Sequence, residues 1–130
     1  MPSIKPVRLV GAIAIILPTI DHLATFLAII TTPMVAAHFG SGAVPAAIFF
    51  LGLGVFQLIW MGVLMRSNNP TLLVVGTVGN VFSILIYFIS VAGVMLLGVP
   101  PQPLFAQGVI AKVLEGVFVA ASLCVLRGRH

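Results

Sequence analysis

The acidic residues of this chain, Asp21 and Glu115, both lie inside long apolar stretches of the sequence. Lys112 precedes Glu115 by three positions, and His22 follows Asp21 directly. A charged side chain is costly inside a lipid bilayer, so ionisable residues placed there usually mark a functional site or pair with one another. These four residues are therefore the first candidates for chemistry.

Two interpretations of the charged residues follow from their spacing. Residues three apart share one face of a helix, so Lys112 and Glu115 can form an ion pair that simply holds helices together. Asp21 would then be an excess carboxylate beside that pair. A proton or His22 would have to balance its charge, and this predicts a site that takes up a proton or a cation reversibly.

The composition indicates a protein that is dissolved in lipid. Of the 130 residues, 61% are hydrophobic and 6% are Asp, Glu, Lys or Arg, whereas soluble domains average about 25% charged residues. The formal net charge of +4 would suggest nucleic acid as a partner for a soluble protein. In a membrane protein it is explained by topology, so we predict no nucleic-acid partner.

Apolar segments long enough to cross a bilayer as helices lie at about residues 9–31, 43–65, 71–96 and 104–126. Turn-forming residues separate them, namely Pro33 with the 40–42 Gly-Ser-Gly segment, then 66–70, then the proline-rich 98–103. We therefore predict an all-α polytopic membrane protein, with a single domain over residues 1–130 that forms an antiparallel four-helix bundle.

Basic residues predict the orientation of this bundle. Lys5 and Arg8 precede the first segment, Arg66 lies between the second and third, and Arg127 and Arg129 follow the fourth. Such residues accumulate on the cytoplasmic side, so we predict a multi-pass protein of the plasma membrane with both termini in the cytoplasm. The first segment could alternatively be a signal peptide, but it is longer than the usual apolar core of about 7–15 residues.

Polar residues fall at one common depth in the predicted bundle. At about 1.5 Å per residue, Asp21, Gln57, Asn80 and Glu115 lie roughly 12–18 Å from the cytoplasmic ends of their helices, and Lys112 lies about 21 Å from that face. The third helix carries a polar stripe at steps of three and four, formed by Gly76, Asn80, Ser83, Tyr87 and Ser90. The predicted site is a buried polar cluster made of Asp21, His22, Gln57, Asn80, Lys112 and Glu115.

Evidence for a metal, a cofactor or catalysis is weak in the sequence. His22 and His38 are weak metal-ligand candidates, so no metal site is predicted, and the single cysteine cannot form an internal disulfide. Haem would need a second axial ligand at a matching depth, so the cofactor stays unassigned. The chain contains no nucleophile elbow, phosphate-binding loop or zinc-protease motif, and we predict no enzymatic activity.

Short motifs between residues 37 and 120 carry a resemblance to a family. They are Ala37-His38-Phe39, Phe49-Phe50, Gln57, Asn69-Pro70, Gly79-Asn80, Gly98-Val99-Pro100 and Glu115. In this pattern the chain resembles a family of small four-helix membrane proteins of bacteria and archaea that has no established activity. The resemblance implies an integral membrane protein with a polar interior, and it implies no reaction.

The leading functional prediction is a subunit or accessory protein of a larger membrane assembly. The predicted loops are too short for soluble chemistry, so the expected partners are the lipid bilayer and either further copies of this chain or another membrane protein. The alternatives are proton or cation translocation, or binding of a small ligand such as a quinone or haem, through Asp21, Lys112 and Glu115.

Overall fold

The computed structural model describes residues 3–93 and 106–128 of the chain. Within these ranges the protein is helical and contains no strand. The helices are α1 (Lys5–Thr31), α2 (Pro33–Phe39), α3 (Ala43–Arg66), α4 (Pro70–Val91) and α5 (Ala106–Arg127), with a 3₁₀ turn at Gly40–Gly42 between α2 and α3. The all-α prediction is confirmed.

Two predicted boundaries are wrong. Most of the predicted break between the first two segments is the short helix α2, because Pro33 interrupts α1 but suits the first turn of a new helix. The third segment was predicted to reach residue 96, but α4 ends at Val91 and a turn follows in which Gly93 has a φ of +99°. The predicted proline-rich break at 98–103 lies outside the described residues.

The start of α4 has a clear local cause. The side chain of Asn69 accepts hydrogen bonds from the backbone N–H groups of Thr71 (2.9 Å) and Leu72 (3.4 Å). Pro70 occupies the first helical position, where the missing N–H is not needed. The predicted break at 66–70 is therefore a helix cap that reverses the chain direction.

The long helices form a ring in which α1 packs against α3 and α5, and α4 packs against the other sides of α3 and α5. Among the described residues, one core cluster of apolar side chains includes Ile15, Leu64 and Phe118. It lies near the end of the bundle that carries the basic residues. A second core cluster, which includes Ile29, Phe39 and Ala46, lies near α2. The predicted polar residues lie between these two apolar clusters.

The outer surface is apolar on each long helix. Ile13 of α1, Ile48 of α3, Phe82 of α4 and Val113 of α5 are each more than half exposed, at 58–67%. In the part of the chain that the structure describes, four helical spans are long and apolar enough to cross a membrane. A surface of this kind matches lipid tails better than water, so the fold is that of a small membrane-protein bundle.

Glycine allows α1 to lie close to its neighbours. A Cβ atom built on Gly11 would lie 2.6 Å from Leu64 Cδ2 of α3 and 2.7 Å from Ala121 Cβ of α5. A Cβ atom on Gly54 of α3 would lie 2.6 Å from Leu23 Cδ2 of α1. Small residues at such contacts bring helix backbones together in membranes, where van der Waals packing contributes much of the association energy.

Arg8 joins the first helix to the loop between α3 and α4. It is buried, although the sequence indicated only a residue that sets topology. Its guanidinium donates to the backbone oxygen of Leu64, to that of Ser67 at 2.8 Å, and to the side chain of Asn68 at 2.8 Å. The last carbonyl groups of α3 lack partners within their own helix, so Arg8 satisfies them and closes one end of the bundle.

Replacing Arg8 by methionine should destabilise the bundle. Arg8→Met leaves the carbonyl groups of Leu64 and Ser67 without their charged donor, and we expect a loss of about 2 kcal/mol in unfolding free energy. Arg66 lies at the same end of the bundle but is exposed, so Arg66→Met is the matched control and should cost much less. Thermal or denaturant unfolding of detergent-solubilised protein, followed by far-UV circular dichroism, measures both changes. Equal losses for the two variants would contradict the role assigned to Arg8.

Candidate functional site

The site is centred on the carboxylate of Glu115, which is fully buried in α5. Lys112, one turn earlier on the same helix, places Nζ 3.0 Å from Oε1 and 3.1 Å from Oε2 of Glu115. The lysine side chain is 9% exposed, so both charges are largely removed from solvent and from lipid. The local ion pair predicted from the spacing of three residues is present.

Side chains from the other long helices contact the same carboxylate. Gln57 Nε2 of α3 lies 2.9 Å from Oε1. His22 Nε2 of α1 lies 3.1 Å from Oε1, and Ser83 Oγ of α4 lies 3.1 Å from Oε2. The carboxylate thus accepts hydrogen bonds from α3, α4 and α5 and lies against the imidazole of α1, and we call this group of side chains the Glu115 cluster.

Two further hydrogen bonds extend the cluster. Gln57 Nε2 also lies 3.2 Å from Oδ1 of Asn80, whose own Nδ2 donates to the backbone oxygen of Gly76 at 2.9 Å. Lys112 Nζ donates to Ser83 Oγ at 3.1 Å. Buried amides inside a membrane bundle require such partners, because neither water nor lipid can supply them.

The structure brings together five of the six predicted cluster residues, namely His22, Gln57, Asn80, Lys112 and Glu115. Ser83 joins them directly, although the sequence placed it only on the polar stripe of its helix. The indication in the sequence was that Ser83 follows Asn80 by three residues and therefore lies on the same helical face. A serine is too common in membrane helices for this position alone to have identified it as a site residue.

The predicted place of Asp21 beside Lys112 is wrong. Asp21 is only partly buried, and its carboxylate accepts a hydrogen bond from Gln107 near the start of α5. The next residue, His22, faces the bundle interior instead. Adjacent helical residues point about 100° apart, so Asp21 and His22 cannot both face the interior, and only His22 does.

Charge balance fixes the protonation state of His22. Within the described residues, the Glu115 cluster contains the ammonium of Lys112 and the carboxylate of Glu115, which compensate each other. A charged imidazole would add an uncompensated positive charge at membrane depth, which is unfavourable. His22 is therefore neutral, and its Nε2 lies between Glu115 Oε1, at 3.1 Å, and Lys112 Nζ, at 3.5 Å.

A cavity of about 440 Å³ lies beside the Glu115 cluster. Its wall is largely aromatic and aliphatic, and its polar groups come from His22, Ser83, Tyr87, Ser90 and Lys112. The remaining lining residues are Phe39, Pro45, Ala46, Phe49, Phe50, Leu53, Phe82, Ile86 and Ile89. A volume within about 300–1,000 Å³, an apolar wall and a few convergent polar groups are the usual features of a small-molecule site.

Buried polar atoms of two cavity-lining residues lack partners. Among the residues that the structure describes, His22 Nδ1 and the Tyr87 hydroxyl have no hydrogen-bond partner. Lys112 Nζ lies 5.5 Å from the centre of the Tyr87 ring, so the ring contributes a cation–π contact while its hydroxyl remains available. Buried polar groups are nearly always paired in native proteins, and Gln57 Oε1, which does not line the cavity, also has no partner among the described residues.

The second weak metal candidate, His38, is exposed on α2 and contacts the ring of Phe39. The described residues contain no group of three or more His, Cys, Asp or Glu side chains placed to hold a metal ion. The carboxylate of Glu115, which a metal would need as a ligand, already accepts hydrogen bonds from side chains of the Glu115 cluster. Neither observation identifies a cofactor.

No protein-family model matches the sequence, and neither a curated protein nor a solved structure is significantly similar to it. The resemblance described above stays a prediction. Functional argument therefore depends on the geometry of the Glu115 cluster and of the adjacent cavity.

Breaking the ion pair on one side should be worse than removing it entirely. Glu115→Leu leaves the Lys112 ammonium buried without its partner, and we expect a loss of about 3–5 kcal/mol in unfolding free energy. Glu115→Leu combined with Lys112→Met removes both charges and should recover at least half of that loss. Denaturant unfolding in mixed micelles gives the three free energies needed. A double variant no more stable than Glu115→Leu alone would show that Lys112 does not depend on this carboxylate.

Proposed function

We propose that this protein is an integral membrane protein that binds a small, mainly apolar molecule in the cavity beside the Glu115 cluster. One observation carries the proposal, namely that an apolar cavity, whose wall includes the outward-exposed Phe82, meets Lys112, His22 and Tyr87 at its polar side. Apolar walls supply affinity through burial of the ligand, and the polar groups orient it.

The aromatic part of the wall favours a flat or bulky apolar group over a flexible chain. Phe39 and Phe50 have ring centres 6.4 Å apart in an edge-to-face arrangement, and Phe49 and Phe50 have centres 5.4 Å apart. The ring of His22 packs edge-on against Phe50, with the centres 5.9 Å apart. Such aromatic groups offer large, rigid contact surfaces at low entropic cost.

The charges favour ligand binding over translocation of a proton or cation. The prediction of translocation required Asp21 as an excess carboxylate beside Lys112, but Asp21 pairs with Gln107. Lysine, glutamine and serine donate to the carboxylate of Glu115, and the imidazole of His22 lies 3.1 Å from it, so little room is left for a cation. A cluster whose charges balance is better suited to forming one polar wall of a binding site.

We further propose the plasma membrane as the location, with both termini in the cytoplasm. The end of the bundle formed by the start of α1, the end of α3 and the end of α5 carries the basic residues Lys5, Arg8, Arg66 and Arg127. Association with further copies of this chain or with a larger membrane assembly also stays a proposal, and the apolar outer faces of the helices are compatible with it.

Filling the cavity should abolish binding of an apolar probe. Ala46 of α3 lines the cavity and is 2% exposed, so Ala46→Phe would occupy much of the space available to a ligand. We expect 2-naphthol to bind saturably to the wild-type protein in lipid nanodiscs, and Ala46→Phe to weaken binding at least about tenfold. The fluorescence of 2-naphthol, titrated against protein, measures the dissociation constant.

Ala24→Phe is the matched control, because Ala24 is exposed on the outside of α1. The control should bind 2-naphthol as the wild type does, and empty nanodiscs correct for partitioning into lipid. Absence of saturable binding to the wild-type protein, or equal affinity of Ala46→Phe and wild type, would contradict the proposed function.

Reporter fusions test the orientation separately. A green fluorescent protein fused after His130 should fluoresce in a bacterial host, and an alkaline phosphatase at the same place should be inactive, because the positive-inside rule keeps this end in the cytoplasm. Alkaline phosphatase inserted at Ser41, in the 3₁₀ turn at the opposite end of the bundle, should be active. The reverse pattern would contradict the proposed topology.

A further inference from the structure

We propose that the ligand of the cavity is a long-tailed amphiphile of the membrane, with an uncharged head group beside the Glu115 cluster and an apolar tail that leaves the bundle between α3 and α4. This inference rests on the proposed function, because it names the class of molecule that the same cavity binds. Three features of the structure support it, namely the separation of α3 from α4, a groove on their outer side, and the depth of both.

Helices α3 and α4 contact each other closely in the half nearer the end of the bundle that carries the basic residues. Trp60 Nε1 donates to the backbone oxygen of Leu72 at 2.6 Å. A Cβ atom built on Gly76 would overlap the indole ring of Trp60. One built on Gly79 would overlap the ring of Phe56. Beyond this level most of the cavity wall comes from α3 and α4, so the cavity takes the place of direct contact between the two helices.

A groove of about 370 Å³ lies on the outer side of α3 and α4 at the same level. Phe49, Leu53 and Phe82 line both this groove and the cavity. Phe82 is also 58% exposed, so the wall between the two spaces is one side chain thick there. Exposed side chains change rotamer within nanoseconds, and such a movement of Phe82 opens a path for an alkyl chain. The other residues of the groove are Ile48, Gly52, Phe56 and Gly79.

The depth of the groove determines what fills it. Phe82 lies about 18 Å along α4 from Pro70, the first residue of that helix. The hydrocarbon core of a bilayer is about 30 Å thick, so the groove opens near the middle of the membrane. Water and lipid head groups do not reach this level. The part of the ligand that passes through the groove must therefore be apolar, as an alkyl or isoprenoid tail is.

The same depth limits the head group. Ser83 follows Phe82 directly and donates to Glu115 Oε2 at 3.1 Å, so the Glu115 cluster lies at the level of the groove. The charges of Lys112 and Glu115 balance each other. A charged head group, such as the phosphate of a phospholipid, would add an unbalanced charge in the middle of the membrane, which is unfavourable. An uncharged head group matches this side of the cavity.

The experiment uses two competitors that share a head group and differ in the tail. 2-Naphthol bound to wild-type protein in nanodiscs is displaced by 4-ethylphenol or by 4-dodecylphenol, with concentrations expressed per mole of lipid to remove partitioning into the bilayer. A tail in an apolar groove gains little over a tail among lipids. We therefore expect the dissociation constants of the two competitors to agree within about threefold. A cavity closed to the bilayer would exclude the dodecyl chain.

Gly52→Phe should block the tail and spare the head group. In the part of the chain that the structure describes, Gly52 is exposed and lines the groove but not the cavity, and a Cβ atom there would point into open space. We expect this variant to bind 4-dodecylphenol about tenfold more weakly than wild type, and 4-ethylphenol within about twofold. Gly52→Leu is the smaller alternative if the phenylalanine variant does not fold.

Gly62→Phe is the matched control. Gly62 is exposed on the same helix with open space around it, and among the described residues it lines neither the groove nor the cavity. This variant should bind both competitors as the wild type does. An equal loss of 4-dodecylphenol binding in both glycine variants would contradict the assigned path of the tail.

The outcomes separate this inference from the function on which it rests. Displacement of 2-naphthol by 4-ethylphenol but not by 4-dodecylphenol overturns the inference and leaves the binding function intact. Unchanged binding of 4-dodecylphenol to Gly52→Phe also overturns it, because the tail then does not leave through this groove. Absence of saturable 2-naphthol binding to the wild type overturns both proposals.

Further competitors identify the source of the head group. Displacement by 4-dodecylphenol but not by monolauroylglycerol assigns an aromatic head group, and displacement by monolauroylglycerol assigns an aliphatic one. Either result supports the inference. Displacement by dodecyl phosphate as strong as that by 4-dodecylphenol would overturn it, because that head group is charged.

Discussion

The bundle is organised around one buried carboxylate. Glu115 in the middle of α5 can be tolerated there because Lys112 balances its charge, side chains of α3 and α4 donate to its oxygens, and His22 of α1 lies against it. These donors have fixed lengths and directions, so they set the rotation and the depth of each helix relative to α5. Apolar packing alone would discriminate poorly between such arrangements, since the helix surfaces are apolar on the lipid side as well. The polar cluster thus specifies which of many possible bundles forms.

Much of this could be predicted from the sequence, because a bilayer leaves few choices. Apolar segments of about 20 residues must be helices, and polar residues at a common depth must find one another. Gln57, Asn80, Lys112 and Glu115 followed directly from these rules. A break at Asn69-Pro70 could also be predicted from the sequence, and in the structure Asn69 is the N-cap of α4.

The sequence could not predict the rotation of α1 about its axis or the packing of side chains around the cavity. Asp21 and His22 are neighbours in sequence, and hydropathy alone does not decide which one faces the interior. In the structure, Gly11 and Gly54 let α1 lie close to α3 and α5, and His22 is the one of the two that meets Glu115. The cavity could not be predicted from the sequence either, because it is a space left between aromatic side chains of α2, α3 and α4. The sequence indicates only that Arg8 contributes to the membrane orientation. In the structure it is buried and also caps the end of α3.

The placement of Lys112 and Glu115 on the same helix also bears on how the protein enters the membrane. A helix with a lone buried charge is costly to insert and depends on a partner already in place. Here the pair is three residues apart, so α5 can neutralise itself during synthesis, before it meets the other helices. Insertion of each segment and assembly of the bundle can then be separate events. The ion pair that organises the folded bundle is therefore one that α5 can form with its own side chains.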